Sequence, residues 1–377
     1  MRVVAPLALA SLGAAFTFGL AGCSADPGSA GAAPDGGMTS LFATDPGAAS
    51  GPCTPSPSNF EVPGNGCDDD ANGKVDDVPS CDSDLPEDGS PVHFARALGV
   101  CQMADATHWG LVSATYTGSY GSTAPPAPEQ HGILPKFGAS LRPRQGAALG
   151  VLSSGVARET NGSNMLFKKG QAMSGSGKAP PGFPKPAAGC PIDPRVYDVA
   201  TVKLQLRAPM NAKGVSFDFN FLSGEWPEWV CTPYNDGFVA MLSSKATAGG
   251  APTNISYDAQ QNPVSVNNGF FDRCTPGTTT GCRGEPPILK QSACAGGESE
   301  LVGTGFEPRN LYCGTKPSTG GGATGWLTSH AAVQGGEVIT LELVVWDTGD
   351  QDYDSSVLLD NLRWEVGPTQ TTTERPK

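Results

Sequence analysis

The chain has 377 residues, with 50 glycines and 34 prolines, a heavy load of chain breakers for a packed protein. Aromatics make up only 7%, yet apolar residues reach 38%, so a chain this long can still bury a core. A net charge of −13 argues against a nucleic-acid partner. It suits a domain held off an anionic surface, or one whose carboxylates are neutralised by a divalent cation.

The first 22 residues read as a bacterial lipoprotein signal peptide. Arg2 supplies a short positive region, and residues 3–20 form an apolar run broken by Pro6, Ser11 and Gly13. Leu20-Ala21-Gly22-Cys23 then matches a lipobox, in which small residues fit the signal peptidase and the Cys23 thiol takes the lipid. The run is short for a membrane span and ends in small residues, as cleaved signals do. The expected address is therefore outside the cytoplasm, lipid-anchored to a membrane. Ser24 follows the cysteine where aspartate would favour inner-membrane retention, which tilts the expectation to the outer membrane. Setting Cys23 aside leaves an even ten of the 11 cysteines in an oxidising compartment, allowing up to five disulfides of undetermined pairing. No CxxC is present and the four histidines are scattered, so zinc is a poor alternative.

Residues 23–60, rich in Gly, Ala, Ser, Pro and Asp, have little to bury and read as a tether. Residues 61–190 combine an acidic loop region with a small β-rich part. Within it, 91–105 has Phe94, Leu98 and Cys101 at helical spacing, 109–117 alternates like a strand, and 147–156 is a further apolar stretch. Residues 174–190 are a breaker-rich loop. The β signal becomes clear in 191–367, with runs at 199–207, 214–222, 237–242, 338–346 and 356–364. In the second of these, Val215, Phe217, Phe219 and Phe221 share one face. Short runs separated by turns, with no competing long amphipathic helix, predict a mainly β protein. The expected form is an antiparallel, jelly-roll-like β-sandwich with long disulfide-pinned loops and little helix. Residues 272–323 carry four cysteines and form an insert, and 368–377 are a polar tail.

The segments VSFDFNFLSGEWPEWV, YNDGFVAML, NISYD with PVSVNN, and VVWDTGDQDYDSSVLLDNLRW follow one another over roughly 196–366. In order and spacing they resemble the choice-of-anchor L domain of bacterial surface proteins. The resemblance implies a surface or extracellular module for adhesion or ligand binding, attached by a variable device of which a lipobox would be one. It implies no enzymatic activity. The cysteine-rich insert departs from the pattern.

Three clusters are candidate sites. In CDDDANGKVDD, Asp68, Asp70 and Asn72 occupy positions 1, 3 and 5 of an EF-hand-like loop. Gly73 takes the turn, Lys74 offers a backbone carbonyl and Asp76 sits at position 9, while position 12 is Pro79 instead of a bidentate Glu. The compact loops of dockerin or thrombospondin-type repeats are nearer, with Cys67 and Cys81 expected to clasp the ends; the alternative is a solvated acidic linker. In DTGDQDYDSS, Asp347, Asp350, Asp352 and Asp354 can hold a structural calcium at the sandwich rim, with Glu225, Glu228, Asn235 and Asp236 joining in space. The bland alternative is turn chemistry, since Asp and Gly cap loops without metal. In the third, Trp226 and Trp229 beside Glu225 and Glu228 form either a platform for a polysaccharide or surface-protein ligand, or plugs of the core.

No HExxH or GxSxG is present, and GSGK at 175–178 lacks the rest of a P-loop. His93, His108, His131 and His330 have no nucleophile at a telling spacing. The expectation is a non-enzymatic, calcium-stabilised surface lipoprotein. The alternatives are a carbohydrate-active enzyme using surface carboxylates such as Glu225 and Glu228, or a purely structural envelope protein.

Overall fold

A computed structural model describes residues 53–159, 172–187, 189–226, 229–271, 279–280, 288–289, 297–307 and 321–376. The signal segment, Cys23, most of the tether, Glu228 and the cysteines at 274, 282, 294 and 313 lie outside the described residues.

One helix, α1 (Pro91–Ala97), precedes β1 (Gly110–Thr117), β2 (His131–Leu134), β3 (Leu149–Ser153), β4 (Val196–Arg207), β5 (Gly214–Ser223) and β6 (Gly237–Ser243). Then follow β7 (Thr253–Asn254), β8 (Thr279–Thr280), β9 (Ile288–Leu289), β10 (Gly322–Ala323), β11 (Leu327–Ala332), β12 (Val338–Thr348), β13 (Ser355–Glu365) and β14 (Thr372–Glu374). One antiparallel sheet runs β1-β4-β12-β6-β7, and the other β14-β11-β5-β13-β3-β2 with β10 added beside β5. The two sheets face each other across one core, so the chain is mainly β and sandwich-like, as the alternation predicts. β1, β2 and β3 come from the 61–190 stretch, yet they pair into both of these sheets.

Period-two patterning explains the layering. Ala200, Val202, Leu204 and Leu206 of β4 and Ile339, Leu341, Leu343 and Val345 of β12 point inward from one sheet. Val215, Phe217, Phe219 and Phe221 of β5 point inward from the other. Phe219 meets Phe238 of β6 across the core with ring centroids 5.1 Å apart. Each such ring contributes roughly 1.5–3 kcal/mol by leaving water. The outer faces are also covered. Val199, Val239, Met241, Val344 and Trp346 pack under Ala179 and Phe183 of the 174–190 loop. Phe137, Leu141, Leu301 and Phe306 cover Leu222 and Leu358 on the other sheet. This double cover is why every residue of β5 is buried.

Three details differ from the sequence expectations. The helix stops at Ala97, short of Cys101, because the chain turns left-handed at Gly99 (φ +93°), a conformation suited to glycine. Its N-terminus is capped by Ser90, whose hydroxyl accepts the His93 amide while the His93 ring accepts the Ser90 amide. Cys67 and Cys81 do not clasp the acidic loop as a pair: the disulfides are Cys53–Cys67, Cys81–Cys101 and Cys190–Cys231. Residues 368–377 contain β14, which pairs with β11 through Thr372–Glu374.

Candidate metal centre

Strand irregularities prepare the rim of the sandwich. Between Val345 and Asp347 the β12–β4 register shifts, and the extra residue in β4 falls at Asp198, whose φ is +48°. A bulge re-aims side chains, and bulges concentrate near functional sites. The Asp198 carboxylate accepts the amides of Met173, Ser174 and Gly175 on one oxygen and the Gln351 side-chain amide on the other. That carboxylate is fully used in fixing the loop at 173–175 and the β12–β13 turn.

Inside this frame the carboxyl groups of Glu225, Asp347 and Asp354 each lie near that of Asp236, although no three of the four bring oxygens within 4.8 Å of one another. Glu225 and Asp236 flank the β5–β6 connection, Asp347 lies near the end of β12, and Asp354 ends the turn before β13. They are only 2%, 1%, 1% and 5% exposed, respectively. Asp236 is the anchored member: its oxygens accept the Thr348 amide at 3.0 Å and the Ser355 hydroxyl at 2.7 Å. Its own amide donates to Glu225 Oε2 at 3.2 Å. Asp354 rests directly on Gly155, where any Cβ would collide with the carboxylate. Asp347 faces Asp236 and the Ser154 hydroxyl, although neither of its buried oxygens makes a well-formed hydrogen bond, and Asn235 Oδ1 is buried without one too. The neighbouring Ser154 hydroxyl is engaged with the backbone of Ser355.

Burial raises all four carboxyls, and mutual repulsion adds to it. Asp236 is pushed up to about 7. Glu225, Asp347 and Asp354 are each driven well above the usual carboxylate range by burial first and by Asp236 next. Among the described residues, no ion pair includes any of the four. Leaving a charge unpaired in the interior costs several kcal/mol, so the group either holds protons or holds a cation.

Asp350 and Asp352 stay half-buried on the turn, where Asp350 accepts the Asp352 amide at 3.0 Å. Of the Asp-rich turn, Asp347 and Asp354 face Asp236, and Asp350 faces both Asp236 and Glu225.

The acidic loop at 61–77 is arranged differently from the EF-hand spacing. Asp68 accepts the amides of Asn72 and Gly73, Asn72 accepts that of Lys74, and Asp76 turns back to those of Asn65 and Gly66. Lys74 pairs with Asp77. The carboxylates that meet are Glu61, Asp70 and Asp77, with one oxygen of each within 4.8 Å of the others. Glu61 was not among the sequence candidates. It lies outside the Asp-rich run, and only the fold brings it over the amides of Asp69 and Asp76.

The aromatic platform needs correction. Trp226 is fully buried against Phe271, with centroids 5.2 Å apart, and offers no face to a ligand. Trp229 is half-buried at the rim, edge-on to Tyr234 at 5.6 Å and tilted on Tyr353 at 6.1 Å. Glu225 is buried too and is not a surface carboxylate. The four histidines are engaged locally: His93 in the helix cap, His108 with Asp105, His131 stacked on Tyr116, and His330 with Glu365. A separate cleft of about 450 Å³ is lined by Arg142, Arg144, Glu300, Trp326 and Arg375.

The sequence matches the Choice-of-anchor L domain over residues 150–362, more than half of the chain, and the protein belongs to that family. The match begins at β3, earlier than the sequence blocks indicate, and takes in both the bulge at Asp198 and the carboxyl cluster. Membership points to a surface-associated protein. No curated protein and no solved structure matches the chain.

Proposed function

We propose that this chain is a lipid-anchored surface module that binds a ligand without turning it over and depends on calcium for its working form. The observation that carries the reading is family membership across the sandwich, preceded in the same chain by the lipobox at Cys23. The lipid attaches the module to the envelope, with the outer membrane favoured by Ser24. The tether holds the sandwich away from the surface. The ligand is a polysaccharide or a surface protein, met at the rim by Trp229 with Tyr234 and Tyr353, since half-buried aromatic rings give large contact area at low entropic cost.

Two experiments test this. Cys23→Ser should abolish incorporation of a clickable palmitate analogue and release the protein from the membrane fraction; labelling that persists would sink the anchor. Binding to a polysaccharide and cell-surface panel should occur without product release and should weaken in Trp229→Ala. Turnover lost on mutating Glu225 or Glu228 to Gln would instead establish the carbohydrate-active alternative. Neither binding nor turnover would leave a structural envelope protein.

A further inference from the structure

We propose that the cleft between the 140–144 loop, the β10–β11 junction and the residues after β14 binds an acidic sugar unit, a pyranose carrying a carboxylate, gripped by Arg142 and Arg144 and laid against Trp326. The inference goes beyond the proposed function. The cleft shares no lining residue with the aromatic rim at Trp229, Tyr234 and Tyr353, and it stands whether or not that rim binds.

Charge singles the cleft out. Its lining carries three arginines, Arg142, Arg144 and Arg375, against one carboxylate, Glu300, in a chain of net charge −13. Such a chain repels polyanions at long range, so any anion that binds must be held by local contacts. Arg142 is exposed, and among the described residues no carboxylate forms an ion pair with it. Its guanidinium makes only a long contact, 3.5 Å, to the carbonyl of Leu141. Arg144 meets Asp218 through Nε at 3.4 Å, but the same buried carboxylate also serves Arg363 at 3.3 Å. Two guanidinium groups on one carboxylate leave a positive surplus. Arg375 is seated by the carbonyls of Thr324 and Phe270, at 2.7 and 3.0 Å, and lies over the Phe270 ring.

The lining selects the ligand. A guanidinium fork matches a planar carboxylate through two parallel hydrogen bonds. Trp326 is half-buried, packs against the apolar cluster of Phe137 and Leu141, and also lines the cleft. An aromatic ring held by its own packing gives large contact area at low entropic cost, which suits the C–H face of a sugar ring. An acidic peptide brings carboxylates without that ring face, so the sugar is the better fit. The walls are tied together before any ligand arrives: the Ser140 hydroxyl donates to the carbonyls of Ser299 and Glu300 at 3.0 and 3.2 Å. Such preorganisation raises affinity by lowering the cost of ordering the site. At about 450 Å³ the cleft falls within the range of small-ligand sites, about 300–1,000 Å³.

The test uses the full chain and short oligomers of galacturonate, mannuronate and glucuronate, each beside its carboxyl-reduced form. Calorimetric titration should show binding of at least one uronate oligomer. That binding should weaken by about tenfold or more in the carboxyl-reduced form and in Arg142→Ala, the loss expected for one charge-assisted hydrogen-bond partner. Trp229→Ala should leave it unchanged. Hydrogen exchange by mass spectrometry on the unaltered protein should show uronate-dependent protection at 140–144 and 325–328, and this decides alone if Arg142→Ala does not fold. No uronate binding, equal binding of the reduced form, or binding kept in Arg142→Ala overturns the inference. Binding of poly-glutamate in place of any uronate also overturns it and points to a protein partner. Uronate binding lost in Trp229→Ala and kept in Arg142→Ala moves the ligand to the aromatic rim, which leaves the proposed function standing without this cleft.

Discussion

Asp360 sets up a stability experiment independent of any ligand. It lies in β13 beside the bulge at Asn361, whose φ is +54°, and is 1% exposed. Its carboxylate accepts the backbone amides of Arg144, Gln145 and Asn361. Asp218 lies close by and is itself paired with Arg144 and Arg363. Burial pushes Asp360 from an ordinary 3.8 up to about 7; the three amides pull the other way without cancelling it, and Asp218 adds to the rise. With the folded value above the unfolded one, the native state keeps a proton that the unfolded chain has lost. Stability therefore falls as pH rises from about 4 to about 7 and then levels. Roughly three pH units at about 1.4 kcal/mol each set a ceiling of about 4 kcal/mol. Asp360→Asn removes the titration and gives up one acceptor, costing about 1 kcal/mol. The variant should be near parity with the parent at about pH 5 and more stable by up to about 3 kcal/mol at about pH 8. Urea unfolding of both proteins at the two pH values, in saturating calcium throughout, measures this difference. A difference that stays constant with pH, or shifts in favour of the parent as pH rises, would refute the reasoning.

Phe219→Ala empties a fully buried position opposite Phe238 and should cost about 3–5 kcal/mol in urea unfolding. The Cys190–Cys231 bridge spans a sequence separation of 41. Replacing both cysteines with serine should cost about 3–4 kcal/mol by loop-closure entropy, read as a lower melting temperature in non-reducing buffer. Burial alone would raise Glu365, but the hydrogen bonds from His330 at 2.7 Å and Thr369 at 2.8 Å outweigh it and hold the carboxyl at about 2. This contribution is present above the unfolded value of 4.5 and is lost as pH falls toward 2. His330→Ala should remove about 1 kcal/mol at neutral pH, discounted for partial exposure, and move acid unfolding to higher pH.

The sandwich was legible wherever a strand buries one face and carries several large side chains. Phe217, Phe219 and Phe221 announce β5 because their spacing has period two, and the runs in β4, β6, β12 and β13 do the same. β2 and β14 carry no such pattern. Thr372–Glu374 is polar, and its pairing depends on the β11 edge being available, which no local signal encodes. Asp347 and Asp354 were visible as an alternating acidic turn, and Glu225 and Asp236 as neighbours of the tryptophans. Their meeting is a product of topology, since β12 lies beside β6 while β13 lies beside β5. Asp198 was not legible as a bulge, because its role rests on a register mismatch with a strand more than a hundred residues away. Trp226 takes the core-plug alternative that the sequence offered, with Phe271 closing over it.

β14 has a consequence for association between copies. An open sheet edge shows a row of bare amides and carbonyls, and a neighbouring copy can add its own strand to that row. The three residues of β14 occupy the β11 edge with threonines and a glutamate, in register at Thr328, Ser329 and His330. A short, polar, charged strand there is a poor template for further growth. Beyond completing the sheet, it leaves that side a poor partner for the strand of a neighbouring copy.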